Sequence, residues 1–156
     1  MPGSAQALAD RLTTEGSRVV EFFNQLNHEQ WGVLVYPGQS GWNMHQLLAH
    51  FVSAEIGRKG LIVNVYNGGE GAPGHFEIDS FNQAEVERLS LESAHDLLRR
   101  FTQERAMLVE LVSSMSEQGL ERTGNDPYLG EVSLVEMIKL TYRHLQIHLR
   151  DARRCL

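Results

Sequence analysis

The residues most able to do chemistry in this chain are two histidines near its end. His144 and His148 lie four residues apart in the stretch YRHLQIHLRDARR. Four residues make about one turn of an α-helix, so both imidazoles would point to the same side, with Cβ atoms about 6 Å apart. Two imidazoles at this spacing can bind one metal ion through bonds of about 2.0–2.1 Å. The spacing also fits two polar residues on a surface helix.

A third imidazole is available in the stretch GWNMHQLLAH, which contains His45 and His50. On a helix whose apolar stripe is centred on Leu47, His50 lies about 60° from the centre and His45 about 160° away. We therefore expect His50 at the edge of a buried stripe and His45 facing solvent.

The histidine pair of the last helix is also expected at the edge of a buried stripe. With Ile138 at the centre of that stripe, His148 lies about 80° away and His144 about 120° away, on the same side. If the two helices are neighbours, His50 can reach the pair. Three imidazoles with open positions for water or substrate are typical of a catalytic metal site.

Few groups are candidates to carry protons at such a site. Asp151 could orient a ligand by accepting its second N–H, although a pairing with a neighbouring arginine explains Asp151 equally well. Tyr142 is the other candidate, and it also fits a core position. Glu55 follows His50 by five residues and is expected to point to a different face. Tyr142 and Asp151 are therefore the predicted catalytic residues.

Helical periodicity dominates the segments that must position these residues. Apolar residues recur at spacings of three, four and seven, and no long stretch alternates with the period of a strand. Ser133 and Glu136 have the spacing of a capping box, which predicts the start of the last helix. The predicted helices run from about Ser4 to Leu26, from about Asn43 to Tyr66, from Asn82 through a restart near Ser90 to Gly119, and from Ser133 onward.

Four main helices predict an all-α fold, a four-helix up-and-down-type bundle in a single domain spanning residues 1–156. The glycine-rich stretch NGGEGAPG, Asn67 to Gly74, is expected to be the most mobile connection, and GNDPYLGE is expected to form a loop. Leu140 and Ile147 fall opposite the main stripe of the last helix. They predict either a further contact within the bundle or a homodimer interface.

The composition limits the class of protein and its partners. With 42% hydrophobic and 22% charged residues, the chain has the composition of an ordinary soluble globular protein. A formal charge of −6 disfavours nucleic acid and anionic membranes, so neither is expected as a partner. Cys155 is the only cysteine, and the N-terminal stretch lacks the pattern of a signal peptide, so a cytoplasmic protein is expected.

Two motifs, taken in order and spacing, suggest a family. Trp42 is followed eight residues later by His50 in WNMHQLLAHFVSAE, and a capped last helix carries His-x-x-x-His in EVSLVEMIKLTYRHLQIHL. The chain resembles the DinB-like family of bacterial four-helix proteins over nearly its whole length. The resemblance implies that His50, His144 and His148 bind one divalent metal ion, nickel or zinc.

The resemblance also implies a class of reaction. Some related proteins look like transferases or isomerases that use low-molecular-weight thiols such as mycothiol or bacillithiol, and others look like metal-dependent hydrolases. We therefore favour a thiol-dependent enzyme acting on a small molecule. The alternatives are a metal-dependent hydrolase, a metal-binding or stress-related bundle without turnover, and a pure interaction module.

Overall fold

The computed structural model describes residues 4–38 and 41–156. Within these residues the chain forms six α-helices, one short β-hairpin and a single 3₁₀ turn at Gln30–Gly32. The helices are α1 (Ala5–Asn24), α2 (Met44–Tyr66), α3 (Ile78–Leu89), α4 (Ala94–Ser113), α5 (Glu117–Leu120) and α6 (Leu134–Arg154), and the hairpin strands are β1 (Thr123–Asp126) and β2 (Gly130–Ser133).

The four long helices, α1, α2, α4 and α6, form a bundle, which confirms the predicted all-α four-helix fold. Helices α1 and α2 each pack against both α4 and α6, so α1 and α2 lie on a diagonal of the bundle. Helix α3 carries the chain back along α2, so α4 begins at the same end of the bundle as α2 and the two helices run in the same direction.

The core consists of two clusters of apolar side chains stacked along the bundle. The first cluster contains the C-terminal parts of α1 and α6 and the N-terminal parts of α2 and α4, with Phe23, Phe51 and Phe101 among its fully buried side chains. The second contains the opposite helix ends, including Leu12 and Ile138. Burial of apolar surface stabilises by about 25 cal/mol per Å², so these clusters fix the relative positions of the helices.

Capping side chains explain where α2 and α6 begin. Asn43 and Gln46 form a reciprocal capping box at α2, with hydrogen bonds of 2.9 and 3.0 Å. At α6 the Ser133 hydroxyl accepts from the Glu136 amide, but the box is not reciprocal there. Instead, the Glu136 carboxylate lies 3.9 Å from the ammonium of Lys139. Ser133 is also the last residue of β2, where it pairs with Thr123.

The segment GNDPYLGE, expected to be a loop, instead contains most of the β-hairpin. Asp126 Oδ1 accepts hydrogen bonds from the amides of Tyr128 and Leu129 (2.8 and 3.2 Å), which closes the turn between the strands. Each strand has four residues, too few to show the period of a strand in the sequence.

The glycine-rich stretch that was expected to be mobile is hydrogen-bonded to β1. The Asn125 amide donates to the Glu70 carbonyl, and the Ala72 amide donates to the Asn125 carbonyl, both at 2.8 Å. Gly71 has a φ of 89°, and a side chain there would collide with the Asn125 backbone. The glycine therefore permits close backbone approach between the stretch and the hairpin.

The outer side of α6 remains partly apolar. The Ile147 side chain is 49% exposed, and Leu140 is half-buried. The homodimer expected from these two residues stays a prediction. Among the helices that the structure describes, none combines the length and the apolar character needed to cross a membrane.

Candidate metal centre

Three histidines from two helices meet at the contact between α2 and α6. The candidate ligand atoms of His50, His144 and His148 all lie within 4.8 Å of one another. The Nε2 atoms of His144 and His148 are 2.9 Å apart, a separation that one ion can bridge with metal–nitrogen bonds of about 2.0–2.1 Å. The structure therefore brings together the three residues that the sequence predicted as ligands.

Aromatic rings pack against the cluster on two of its members. The Trp42 ring, which lies just before α2, is 4.7 Å from the His50 ring. The Phe51 ring is 6.0 Å from that of His148. His50 is only 1% exposed, so its imidazole belongs to the edge of the core, as its position on the helix predicted.

Tyr36 connects His148 to Asp151 by two short hydrogen bonds. The Tyr36 hydroxyl donates to Asp151 Oδ2 at 2.6 Å, and it lies 2.7 Å from His148 Nδ1. Because the hydroxyl proton goes to the carboxylate, the network assigns the ring proton of His148 to Nδ1, which donates to the Tyr36 oxygen. His148 Nε2 then keeps a free lone pair directed at His144.

Asp151 therefore contributes differently from the prediction. It was expected to accept the second N–H of a ligand, and in the structure the Tyr36 hydroxyl stands between the carboxylate and His148. Burial and the hydrogen bond to Asp151 raise the pKa of Tyr36 above its usual value, so Tyr36 stays protonated at neutral pH. A group of this kind, which orients a ligand from behind, commonly fixes the tautomer of a metal-binding imidazole.

All three imidazoles are held in the neutral form that metal binding requires. Burial, with a further contribution from His148, lowers the pKa of His144 to about 3. Burial lowers the pKa of His148 to about 4, against an opposing effect of Asp151. Burial and the two neighbouring histidines lower the pKa of His50 well below its usual value. No proton has to leave these rings for a cation to bind near neutral pH.

The unpaired nitrogen of His50 fits this interpretation. His50 Nδ1 is buried and has no hydrogen-bond partner among residues 4–38 and 41–156. A buried polar group left without a partner costs about 1–3 kcal/mol, so such groups are uncommon in native structures. Imidazole donors suit zinc, nickel, copper and iron. The donor set, its neutral charge and its spacing therefore fit one divalent transition-metal ion.

Tyr142, the other predicted catalytic residue, is not brought to the cluster. It lies buried in the second core cluster, and the Arg11 guanidinium sits 5.2 Å from the centre of its ring. Tyr142 precedes His144 by two residues, about 200° around the helix, so the two side chains leave α6 on different faces.

Two further expectations about α2 have different outcomes. Glu55 was expected to point to a different face from His50, and this is confirmed, because Glu55 pairs with Arg105 on α4. His45 was expected to face solvent, and this is wrong. It is half-buried, and its Nε2–H donates to the Glu92 carbonyl at 3.0 Å, because the connection between α3 and α4 covers this end of α2.

Two cavities lie near the cluster. The larger, of about 910 Å³, has a mixed polar and apolar lining formed by Tyr36 and Trp42 and by side chains of α3. A smaller, apolar cavity of about 260 Å³ is lined by His144 and by residues of α2 and the hairpin turn. Asn82 lines both cavities, and its amide donates to the Tyr128 hydroxyl at 3.1 Å. Small molecules therefore have room next to Tyr36 and next to His144.

Sequence reasoning missed Tyr36 and Tyr128. The Tyr128 ring is 5.5 Å from that of His144. Both tyrosines lie in connections between helices, where periodicity gives no direction for a side chain. Hydrogen bonds from the amides of Val35 and Tyr36 to the Trp42 carbonyl position the first of them. That pairing depends on the fold of the loop and leaves no spacing signal in the sequence.

The fold and the cluster together define a four-helix-bundle protein with a candidate three-histidine metal centre. The family model of the DinB superfamily matches residues 2–152, which is nearly the whole chain. The chain therefore belongs to the DinB superfamily. A search of curated protein sequences gave no match.

Two solved structures have the same fold. The first is YfiT from Bacillus subtilis, described as a probable metal-dependent hydrolase with an unusual four-helix bundle topology. Its TM-score is 0.79 at 12% identity, and the match covers 97% of this chain and 85% of that chain. The second is a mycothiol-dependent maleylpyruvate isomerase, with a TM-score of 0.76 at 19% identity. This match covers 93% of the present chain, which spans only 60% of the isomerase.

Proposed function

We propose that this protein is a metal-dependent enzyme in which His50, His144 and His148 hold one divalent cation, nickel or zinc. The observation that carries the proposal is the convergence of three neutral imidazoles, one buried and two half-buried, whose ligand atoms lie within 4.8 Å of one another. Three protein ligands leave positions open for water or a substrate, as in catalytic rather than structural sites. The cavities beside the cluster support the same proposal.

The ion would supply Lewis acidity, which lowers the pKa of a coordinated thiol or water. The residues of the chain would bind the ion and orient its ligands. Tyr36 and Asp151 hold His148 in the tautomer that leaves Nε2 free. Trp42 and Phe51 limit the access of water to the imidazoles from the sides. Asp151, acting through Tyr36, is the group that can stabilise positive charge on His148.

The groups around the cluster favour a thiol over water as the nucleophile. Within the described residues, no carboxylate joins the histidine cluster, and Asp151 is already engaged by Tyr36. A thiol bound to a metal is deprotonated outright, whereas water bound to zinc has a pKa of about 7 and is only partly ionised at neutral pH. We therefore propose a transferase or isomerase reaction that uses a low-molecular-weight thiol, with metal-dependent hydrolysis as the second candidate.

The larger cavity gives such a thiol a place to bind. Its volume of about 910 Å³ lies within the usual range of about 300–1,000 Å³ for small-molecule sites. Tyr36 and Trp42 line the end nearest the histidines, and Asp79 and Glu87 line the side formed by α3. Because low-molecular-weight thiols are kept reduced in the cytoplasm, the proposal also places the protein there.

The test is thiol turnover by metal-loaded protein. Mycothiol, bacillithiol and glutathione are each offered with an electrophile such as monochlorobimane, and the rate of adduct formation is measured. In that reaction a sulfur–carbon bond forms, chloride leaves with its electron pair, and the thiol proton passes to solvent. We expect nickel- or zinc-loaded protein to accelerate the reaction with at least one thiol, and His50→Ala protein to lose that acceleration.

The alternatives predict different results. Metal-dependent hydrolysis of a nitrophenyl ester, without any thiol acceleration, would replace the thiol proposal with the hydrolase. If metal-loaded protein catalyses neither reaction and binds no thiol, the enzyme proposal is wrong, and the bundle only binds metal. His45→Ala is the matched control on the same helix, since His45 is outside the cluster.

A further inference from the structure

The smaller cavity, beside His144, is lined mainly by apolar side chains that remain partly exposed to solvent. It lies between α2 and the segment that leads into α3, and the hairpin turn closes one side. Phe76 and Phe81 stand on one wall with ring centroids 5.3 Å apart, and each is 37% exposed. Pro127 and Tyr128 form the wall of the hairpin turn. Exposed aromatic rings grouped around a concave surface indicate a binding site for an apolar group.

Small residues on α2 create the hollow. Ala54 and Gly57 line the cavity, and a Cβ placed on Gly57 would meet nothing within 4 Å in the described part of the chain. Glycine inside a helix is unfavourable by about 1 kcal/mol relative to alanine. Gly57 therefore lowers the stability of α2, and the side chain that it lacks leaves space for the cavity. A cavity of roughly 150 Å³ is enough to bind benzene. The 260 Å³ here therefore fits one ring with a short substituent.

Two polar groups of α2 line the same cavity next to the histidines. Ser53 Oγ and Arg58 Nη1 are buried, and neither has a hydrogen-bond partner within residues 4–38 and 41–156. Ser53 follows His50 by three residues, so it lies on the same side of the helix. Both groups can donate hydrogen bonds, and a ligand that satisfies them needs an acceptor oxygen near the histidine cluster.

The charges around the cavity favour a neutral acceptor over a carboxylate. Arg58 already forms a buried ion pair with Asp126, with Nη2 and Oδ2 2.7 Å apart. Arg58 is the one cation that lines the cavity in the part of the chain that the structure describes, and His144 is neutral. A second carboxylate would therefore be partly desolvated against a cation whose charge is already offset, which is unfavourable.

We infer that this cavity binds the second substrate of the proposed enzyme, a small neutral carbonyl compound with an aromatic or compact alkyl body. The apolar body lies between Gly57 and the rings of Phe76 and Phe81. The carbonyl oxygen faces Ser53 and Arg58, next to His144, where a nucleophile held at the three histidines reaches the carbonyl compound. The inference rests on the proposed function for the role of the ligand, while the binding itself depends only on the cavity.

The test uses benzamide and benzoate, which match in size and differ in charge. Binding to metal-free wild-type protein is measured by calorimetry or by ligand-observed NMR. Because burying an unpaired charge is unfavourable, we expect benzamide to bind at least about tenfold more tightly than benzoate. Benzoate binding as tight as benzamide binding would overturn the assignment of a neutral ligand.

Two glycines of α2 give a matched pair of variants. Gly57 and Gly60 are both exposed, and a Cβ on either one meets nothing within 4 Å among the described residues, but only Gly57 lines the cavity. Gly57→Leu is expected to weaken benzamide binding by roughly tenfold or more, because the new side chain fills the hollow, whereas Gly60→Leu changes it by less than about twofold. Equal effects of the two variants would overturn the cavity assignment.

A smaller substitution keeps the test decisive if Gly57→Leu does not fold. Gly57→Ala adds one methyl group, and we expect an intermediate loss of benzamide affinity with no loss of helical circular dichroism.

The two proposals fail in different ways. Wild-type protein that binds benzamide but no metal contradicts the proposed function alone. If wild-type protein binds metal and Gly57→Leu does not weaken benzamide binding, only the cavity assignment is contradicted.

Discussion

Helix α2 carries two buried polar sites, five residues apart, that differ in how completely their polar groups are paired. At Glu55 the carboxylate accepts two hydrogen bonds from Arg105, at 2.6 and 2.8 Å. Arg105 also donates to the Leu12 carbonyl at 2.9 Å. A Cβ on Gly16 would lie only 2.8 Å from Arg105 Cγ, so the glycine in the middle of α1 makes room for this side chain.

At His50 the imidazole is as buried as Glu55, while His144 and His148 are half-buried, and the polar groups are not all paired. His144 and His148 contact each other, and within the described residues His50 Nδ1 has no partner. A buried group that the protein pairs by itself is explained by folding, whereas a buried group left unpaired requires another explanation. The difference indicates that Glu55 and Arg105 stabilise the bundle, and that the histidines are arranged for a ligand.

The largest expected effect on stability is at the ion pair. Glu55→Ala leaves the Arg105 guanidinium buried without its carboxylate, so we expect the free energy of unfolding to fall by about 3–5 kcal/mol. Urea denaturation measures it. Glu104→Ala is the control, because the pair between Glu104 and Lys59 is only partly buried and is expected to contribute less than about 1 kcal/mol. Equal losses in the two variants would contradict the structural role of Glu55.

The second prediction concerns acid and uses the lowered pKa values of the cluster. An unfolded histidine has a pKa of about 6.5, so below that pH the unfolded chain takes up protons that folded His144 and His148 do not. The free energy of unfolding of metal-free protein should therefore fall as the pH drops from 6.5 towards about 4, because the unfolded chain binds more protons than the folded protein in this range. These groups contribute no slope above pH 6.5.

Metal binding should follow the same pKa values. A free histidine would lose a metal near pH 6.5, but the pKa values of about 3 and 4 for His144 and His148 move this loss to lower pH. We expect metal affinity to change little between pH 7.5 and about 5.5 and to fall as the pH approaches 4. Titrations at a series of pH values measure it, and a midpoint near 6.5 would show that the imidazoles are not shielded.

The smallest expected effect is at the hydroxyl that orients His148. Tyr36→Phe removes both hydrogen bonds and keeps the ring, so we expect metal affinity to fall by about 10- to 100-fold, as for other groups that orient metal ligands. Tyr142→Phe is the control, since Tyr142 lies in the second core cluster. If Tyr142→Phe weakens metal binding more than Tyr36→Phe, the assignment of the two tyrosines is wrong.

The candidate ligands could be predicted from the sequence because helical periodicity fixes the side of a helix on which a residue lies. His50, His144 and His148 lie at the edges of apolar stripes, and packing α2 against α6 brings those edges together. Glu55 was placed correctly for the same reason. The direction in which each side chain leaves a helix follows from 3.6 residues per turn and does not depend on the other segments of the fold.

Residues whose environment depends on other segments could not be predicted in this way. His45 is covered by the connection between α3 and α4, whose path periodicity does not give. Tyr36 is positioned by loop hydrogen bonds to the Trp42 carbonyl, and the β-hairpin is held partly by Asn125 pairing with the glycine-rich stretch. Each of these contacts joins segments that are distant in the sequence or irregular in conformation.

The most direct test of the metal centre is the metal content of purified protein, measured per chain for wild type, His50→Ala and His45→Ala after loading with nickel or zinc. We expect about one ion per chain in wild type and in His45→Ala, and a large loss in His50→Ala with helical circular dichroism retained. Loss of the ion in His45→Ala with retention in His50→Ala, or equal metal content in all three proteins, would contradict the three-histidine site.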